Sequence, residues 1–67
     1  MQVVVNGEPH TLIEERPSIQ SLLASLGYET QSVAVAINNE FVPRNTFSSR
    51  LVQPEEVLEI LSPMQGG

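Results

Sequence analysis

The residues whose type and spacing offer chemistry stand at the end of the sequence, Gly66-Gly67. Glycine has no Cβ, so an extended Gly-Gly can thread a channel too narrow for other residues and set its carboxylate beside a nucleotide. A carboxylate is a poor acyl donor. As an acyl-adenylate it carries a good leaving group, and a sulfur nucleophile can then displace AMP to leave a thiocarboxylate. Reach, narrowness and an unblocked end are all that such chemistry asks of the chain, and Ser62-Pro63-Met64-Gln65-Gly66-Gly67 is expected to supply them. Gly67 is the group to be modified, and Gly66, Gln65 and Met64 are the residues a recognising channel would read.

Chemistry of the ordinary catalytic kind is not legible elsewhere. His10 is the one histidine, and every one of the eight acidic residues is Glu, so no Ser-His-Asp arrangement can form. No P-loop or other glycine-rich phosphate cradle is present. There is no cysteine, and a lone histidine cannot build a metal centre. The chain reads as a protein co-substrate rather than an enzyme, with no metal and no bound cofactor. A terminal Gly-Gly can also be an uninformative chain end. The body that presents it decides between the two.

That body is small. Sixty-seven residues allow one domain and one core. A chain this short buries only about 60% of the surface that its unfolded form exposes. Without disulfides, stability must come from apolar packing, and a hydrophobic share of 40% is enough to supply it. The net charge of −5, with three arginines and no lysine, argues against nucleic acid and suits basic protein partners. No apolar stretch approaches the roughly 20 residues of a membrane span. No basic region followed by an apolar one opens the sequence, so the expected location is the cytoplasm. The expected state of the free protein is monomeric.

The elements follow from local pattern. Met1–Asn6, with Val3-Val4-Val5, reads as a strand. Asn6-Gly7 is a hairpin signal leading into a return strand over Glu8–Glu14, in which Pro9 belongs at the start or on an edge. Periodicity leaves open whether His10 and Leu12 or Thr11 and Ile13 face inward. Ser18 is placed to cap a helix whose apolar stripe is Ile19, Leu22, Leu23 and Leu26, and Gly27 ends it. Two turns of helix would not survive alone, so the helix must lie on a sheet. Val33–Ile37 is the third strand, and Asn38-Asn39 turns it into Glu40–Val42. Thr46–Arg50 is short and polar, with room for a single turn. Val57–Leu61 is almost continuously apolar, which reads as a central strand covered on both faces. The expected architecture is α+β: a mixed four- or five-stranded sheet with one helix on a face, the first and last strands parallel at its centre. This is the β-grasp, ubiquitin-like pattern, with a domain over residues 1–61 and a flexible tail over residues 62–67.

Ala34-Val35-Ala36-Ile37-Asn38-Asn39-Glu40-Phe41-Val42-Pro43-Arg44 resembles the middle segment of the ThiS family, the sulfur carriers of thiamine biosynthesis. The opening Met1-Gln2-Val3-Val4-Val5-Asn6-Gly7-Glu8 and the ending Val57-Leu58-Glu59-Ile60-Leu61 through Gly66-Gly67 resemble it too. The resemblance implies that a ThiF-like, E1-like adenylyltransferase activates Gly67 with ATP. Sulfur from cysteine, delivered through a desulfurase, then gives the thiocarboxylate, and a ThiG-like thiazole synthase receives it. Two departures stand out. Many members carry an Asp-Gly-Asp type of turn before the last strand where this chain has Pro54-Glu55-Glu56. The tail also resembles that of molybdopterin-synthase small subunits, which lack the Val-Pro-Arg segment and rank second. A non-reacting ubiquitin-like interaction module is the third reading.

A carrier also needs a docking surface. Val57, Leu61 and the Ala34/Ala36 face are candidates, with completion of the core the simpler reading for most of them. Glu55, Glu56 and Glu59 are candidates to meet arginines of the activating enzyme, with a solvated surface as the simpler reading. Arg44, Asn38 and Asn39 are read as structural.

Overall fold

Two hairpins are set by residues that tolerate positive φ. The computed structural model describes residues 1–62. In it, strand β1 (Gln2–Val5) turns through Asn6 (φ 51°) and Gly7 (φ 83°) into the antiparallel β2 (Glu8–Thr11). Strand β3 (Ala34–Ile37) turns through Asn38 (φ 52°) and Asn39 (φ 72°) into β4 (Glu40–Val42). Positive φ at both central residues is what a type I′ hairpin requires, and its twist matches that of the strands. β2 ends sooner than the expected Glu14. Its last exchange is between Met1 and Leu12, where each backbone nitrogen donates to the other's carbonyl at 2.9 and 2.7 Å. Beyond that the chain bends away, and Ile13 is fully exposed. Leu12 packs against the core and His10 is half-buried, which settles the inward face of β2. Pro9 sits on this edge strand opposite Val4, where its missing N–H costs no ladder bond.

The helix α1 (Ile19–Ser25) begins as its sequence dictates. Ser18 is the N-cap, and its Oγ accepts from the Ser21 N–H at 3.0 Å. The first N–H groups of a helix have no partner within it. Here a distant loop supplies them: Ile19 N donates to the Arg50 carbonyl and Gln20 N to the Phe47 carbonyl, both at 3.0 Å. Val52 N donates in turn to the Pro17 carbonyl at 2.8 Å. The segment holding these carbonyls starts with a single 3-10 turn over Arg44–Thr46. That turn falls just before most of the expected Thr46–Arg50, and the polar run conceals two core residues. Phe47 is 3% exposed and Val52 is fully buried. Leu26 packs on the core at the other end, and Gly27 at φ 89° ends the helix in the left-handed region that glycine enters freely.

All five strands join one sheet in the order β2-β1-β5-β3-β4, where β5 is Val57–Leu61. β5 runs parallel to β1 and antiparallel to β3, so it is central as expected. Both of its faces are not covered, however. Leu58 and Ile60 lie under the helix with Val3, Val5, Val35 and Ile37, while Val57, Glu59 and Leu61 are exposed. A single seven-residue helix can cover only one face of the sheet, so the apolar residues of the other face meet solvent.

Candidate functional site

The site expected from the sequence has two parts, and the described residues contain one of them. Met64, Gln65, Gly66 and Gly67 lie outside the described residues, as does the rest of the tail beyond Ser62. What the structure does show is the strand that delivers the tail and the surface around it.

That surface is the open face of the sheet. Register places Val57, Glu59 and Leu61 of β5 on one side, with Ala36 opposite Glu59 and Ala34 opposite Leu61. Phe41 stands opposite Ala36 on β4, and Val4 opposite Val57 on β1. Val57 is 45% exposed, Leu61 55% and Phe41 73%. For Val57 and Leu61 the simpler reading, completion of the core, is therefore overturned. Ala36 is buried, but on this open face between Phe41 and Glu59 and outside the core cluster under the helix. The small alanines leave the middle of the face low, so Phe41 and Leu61 stand proud on either side of Ala34 and Ala36. Sequence reasoning missed Phe41 as part of this patch. The available signal was parity, since the hairpin at Asn38-Asn39 puts Phe41 on the alanine side of the sheet. Contiguous exposed apolar surface next to polar residues marks an interaction site more often than chance.

The three glutamates do not act as a group. Glu59 stands on the open face between Val57 and Leu61. Glu56 folds back on its own turn, where Oε1 accepts from the Gln53 N–H at 2.8 Å and Oε2 pairs with Arg50 at 3.1 Å. Arg50 also donates to the Leu51 carbonyl, so this ion pair braces the loop under the helix start. Glu55 is exposed at φ 67°. That is the left-handed region, which glycine enters without steric cost, and the Glu55 backbone N–H donates to the Gln2 carbonyl at 2.7 Å. A side chain in that region costs roughly 1–2 kcal/mol, of which glycine's greater unfolded freedom offsets about half. Glu55→Gly is thus expected to stabilise the fold by about 0.5–1 kcal/mol, raising the thermal midpoint by about 4 °C. A scanning calorimetry midpoint that stays put or falls would show that the turn is not strained.

Arg44 is structural, as read. Its Nε donates to the Thr30 carbonyl at 3.2 Å and its Nη2 to the Val33 carbonyl at 2.8 Å, which ties the strand exit to the loop before β3. Two of the three hairpin asparagines do more than turn the chain. Asn38 Oδ1 accepts from Val57 N at 3.1 Å, and Asn6 bonds the backbone of Ile60 through both atoms of its carboxamide. Neither reach could be read from the turn signal itself. Among the described residues, no group of three or more His, Asp or Glu could hold a metal ion. No helix among them is long and apolar enough to cross a membrane.

A helix over a mixed sheet whose first and last strands lie parallel at its centre defines a β-grasp domain. Within that class, residues 3–67 match the model of the ThiS family, and the chain belongs to that family. The crystal structure of the thiamine biosynthesis protein ThiS from Geobacter metallireducens superposes with a TM-score of 0.85 at 32% identity, over the whole of both chains. The sulfur carrier protein ThiS of Thermus thermophilus is 34% identical over 65 residues, covering 97% of this chain and 98% of that one. A thiazole synthase of Magnetococcus marinus is 33% identical over all of this chain, which spans 20% of the synthase's length.

Proposed function

We propose that this chain is a sulfur carrier for the thiazole of thiamine, working in the cytoplasm through the carboxylate of Gly67. The observation that carries the reading is the family match, which runs through the Gly66-Gly67 end itself and begins in β1. In the first step a ThiF-like adenylyltransferase joins the Gly67 carboxylate to the α-phosphorus of ATP, and pyrophosphate leaves. In the second, the outer sulfur of a persulfide that a desulfurase forms from cysteine attacks the acyl carbon and AMP leaves; a thiol then cleaves the S–S bond of the acyl disulfide, releasing the thiocarboxylate and leaving the thiol's sulfur in a disulfide. A separate ThiG-like thiazole synthase then takes the sulfur. The likeness to a thiazole synthase five times longer supports that partner, because there the same kind of domain is joined to a synthase in one chain. The carrier supplies the acyl end and the docking surface; catalysis belongs to its partners. Whole-length agreement with ThiS proteins favours this reading over a molybdopterin-synthase small subunit.

Mass spectrometry of the intact chain tests it. After incubation with the adenylyltransferase, ATP and a sulfur donor, a gain of about 16 Da is expected, one oxygen exchanged for sulfur. An unchanged mass under conditions that convert a ThiS control would rule the reading out.

The docking surface has its own test. Phe41 and Leu61 flank a low apolar centre with Glu59 beside it, which suits a partner with an apolar ridge and an arginine at its rim. Phe41→Ala changes an exposed side chain, so stability should stay within about 0.5 kcal/mol. Binding to the adenylyltransferase should weaken roughly tenfold, as expected when an aromatic anchor is lost. Ile13→Ala provides the control, because Ile13 is fully exposed beside Ser25 and Leu26 on the helix side. Equal affinities for the two variants would exclude the sheet face as the docking site.

A further inference from the structure

The strands that flank β5 both stop short of its ends, and in each case an asparagine from the adjoining turn continues the ladder. On one side the register of β1 with β5 ends at Val5 opposite Leu58, and Asn6 N donates to the Leu58 carbonyl at 2.9 Å. The Asn6 side chain takes the next step. Its Oδ1 accepts from Ile60 N at 2.8 Å, and its Nδ2 donates to the Ile60 carbonyl at 3.2 Å, across 54 residues of sequence. A carboxamide thus stands where a peptide unit of a longer β1 would be. On the other side the register of β3 with β5 ends at Ile37 opposite Leu58. There Asn38 N donates to the Val57 carbonyl at 2.8 Å and Asn38 Oδ1 accepts from Val57 N at 3.1 Å. One asparagine holds the entry to β5 and the other its exit toward the tail.

We infer that Asn6 is a positioning residue for adenylation of the Gly67 carboxylate, an assignment that rests on the sulfur-carrier reading above. At Ile60 the strand is paired with Val35 of β3 on one side and with the Asn6 side chain on the other. Without that side chain the end of β5 is held along one edge only, and the residues from Glu59 onward can fray. The last residue held along both edges would then be Leu58 instead of Ile60. A longer hinged segment lowers the effective concentration of the carboxylate at a partner's nucleotide by about twofold. Loss of a fixed launching direction costs more, because near-attack geometry is demanding. Asn38 makes comparable bonds at the far end of the same strand, so it is a built-in control for stability alone.

The experiment compares Asn6→Ala, Asn6→Asp and Asn38→Ala in the full chain, each well below its thermal midpoint. Pyrophosphate release by the adenylyltransferase is followed at saturating carrier. Asn6→Ala should lower kcat about fivefold, and Asn38→Ala by less than about twofold. Asn6→Asp keeps the acceptor for Ile60 N but loses the donor, so it should fall between Asn6→Ala and the unmodified chain. Amide hydrogen exchange reads the clamp in the free protein. Asn6→Ala should speed exchange at Ile60 about tenfold, whereas Asn38→Ala should speed it at Val57. If kcat follows thermal midpoint alone, or Ile60 exchanges in Asn6→Ala as it does in the unmodified chain, the assignment is overturned. An unmodified chain that releases no pyrophosphate overturns the sulfur-carrier reading and the positioning role with it, while the exchange at Ile60 still shows whether Asn6 holds the strand.

Discussion

A chain lacking Gly67 should fold normally and take up no sulfur. One extended residue spans about 3.5 Å, which is as long as the whole distance between reacting atoms in a near-attack pair. Deleting Gly67 therefore withdraws the carboxylate from the α-phosphorus by about the full reacting distance, and adding one residue after Gly67 overshoots it by as much. Each change should lower adenylation at least about a hundredfold. The thermal midpoint should move by less than the equivalent of about 0.5 kcal/mol, because neither change touches the buried cluster that ends at Ile60. The combination of intact fold, intact docking and lost chemistry separates a carrier from a module that only binds. A chain without Gly67 that supports thiazole formation as well as the unmodified one would show that binding alone is the function. A shift of about 16 Da that persists without Gly67 would move the reactive group to another residue.

Particular residues show what could be read in the sequence and what could not. The hairpins were legible because Asn6-Gly7 and Asn38-Asn39 carry their conformational preference locally. The helix was legible for the same kind of reason: Ser18, the stripe from Ile19 to Leu26 and Gly27 each act within a turn or two of their own position. The parallel pairing of β1 with β5 followed from element order. β5 was misjudged because Val-Leu-Glu-Ile-Leu reads alike whether its second face is covered by the fold or kept for a partner; both select apolar residues. Phe47 stood alone in a polar stretch and Leu51-Val52 showed no period, and the loop that carries them bonds to a helix start about thirty residues earlier. Asn6 was legible as a turn residue and illegible as a clamp, because its partner lies 54 residues away. The glycine missing from the Pro54-Glu55-Glu56 turn left its geometry open, and the structure closes it with Glu55 in the left-handed region. Gly66-Gly67 was singled out as the end to be modified from residue type alone, and it lies outside the described residues.

Phe47→Ala should be the most damaging single change to the fold. Truncating a buried phenylalanine costs about 3–5 kcal/mol, from lost transfer energy and the cavity left behind. A domain of this size has about 3–10 kcal/mol to lose, at roughly 0.05–0.15 kcal/mol per residue. Phe47 also holds a backbone role that the cavity would disturb. Its carbonyl accepts from Gln20 N at 3.0 Å, and with the Arg50 carbonyl it satisfies two of the otherwise unpartnered donors at the start of α1. If the loop loosens, those donors turn to water and the short helix loses the contact that nucleates it. The thermal midpoint should fall by about 15–30 °C, at 4–8 °C per kcal/mol. Leu51→Ala, next to Val52 in the same loop but with its side chain 44% exposed, should cost less than about 1 kcal/mol. Urea unfolding followed by circular dichroism distinguishes the two. If Phe47→Ala costs no more than Leu51→Ala, the 44–52 segment is a passive covering, and the core rests on the helix and sheet alone.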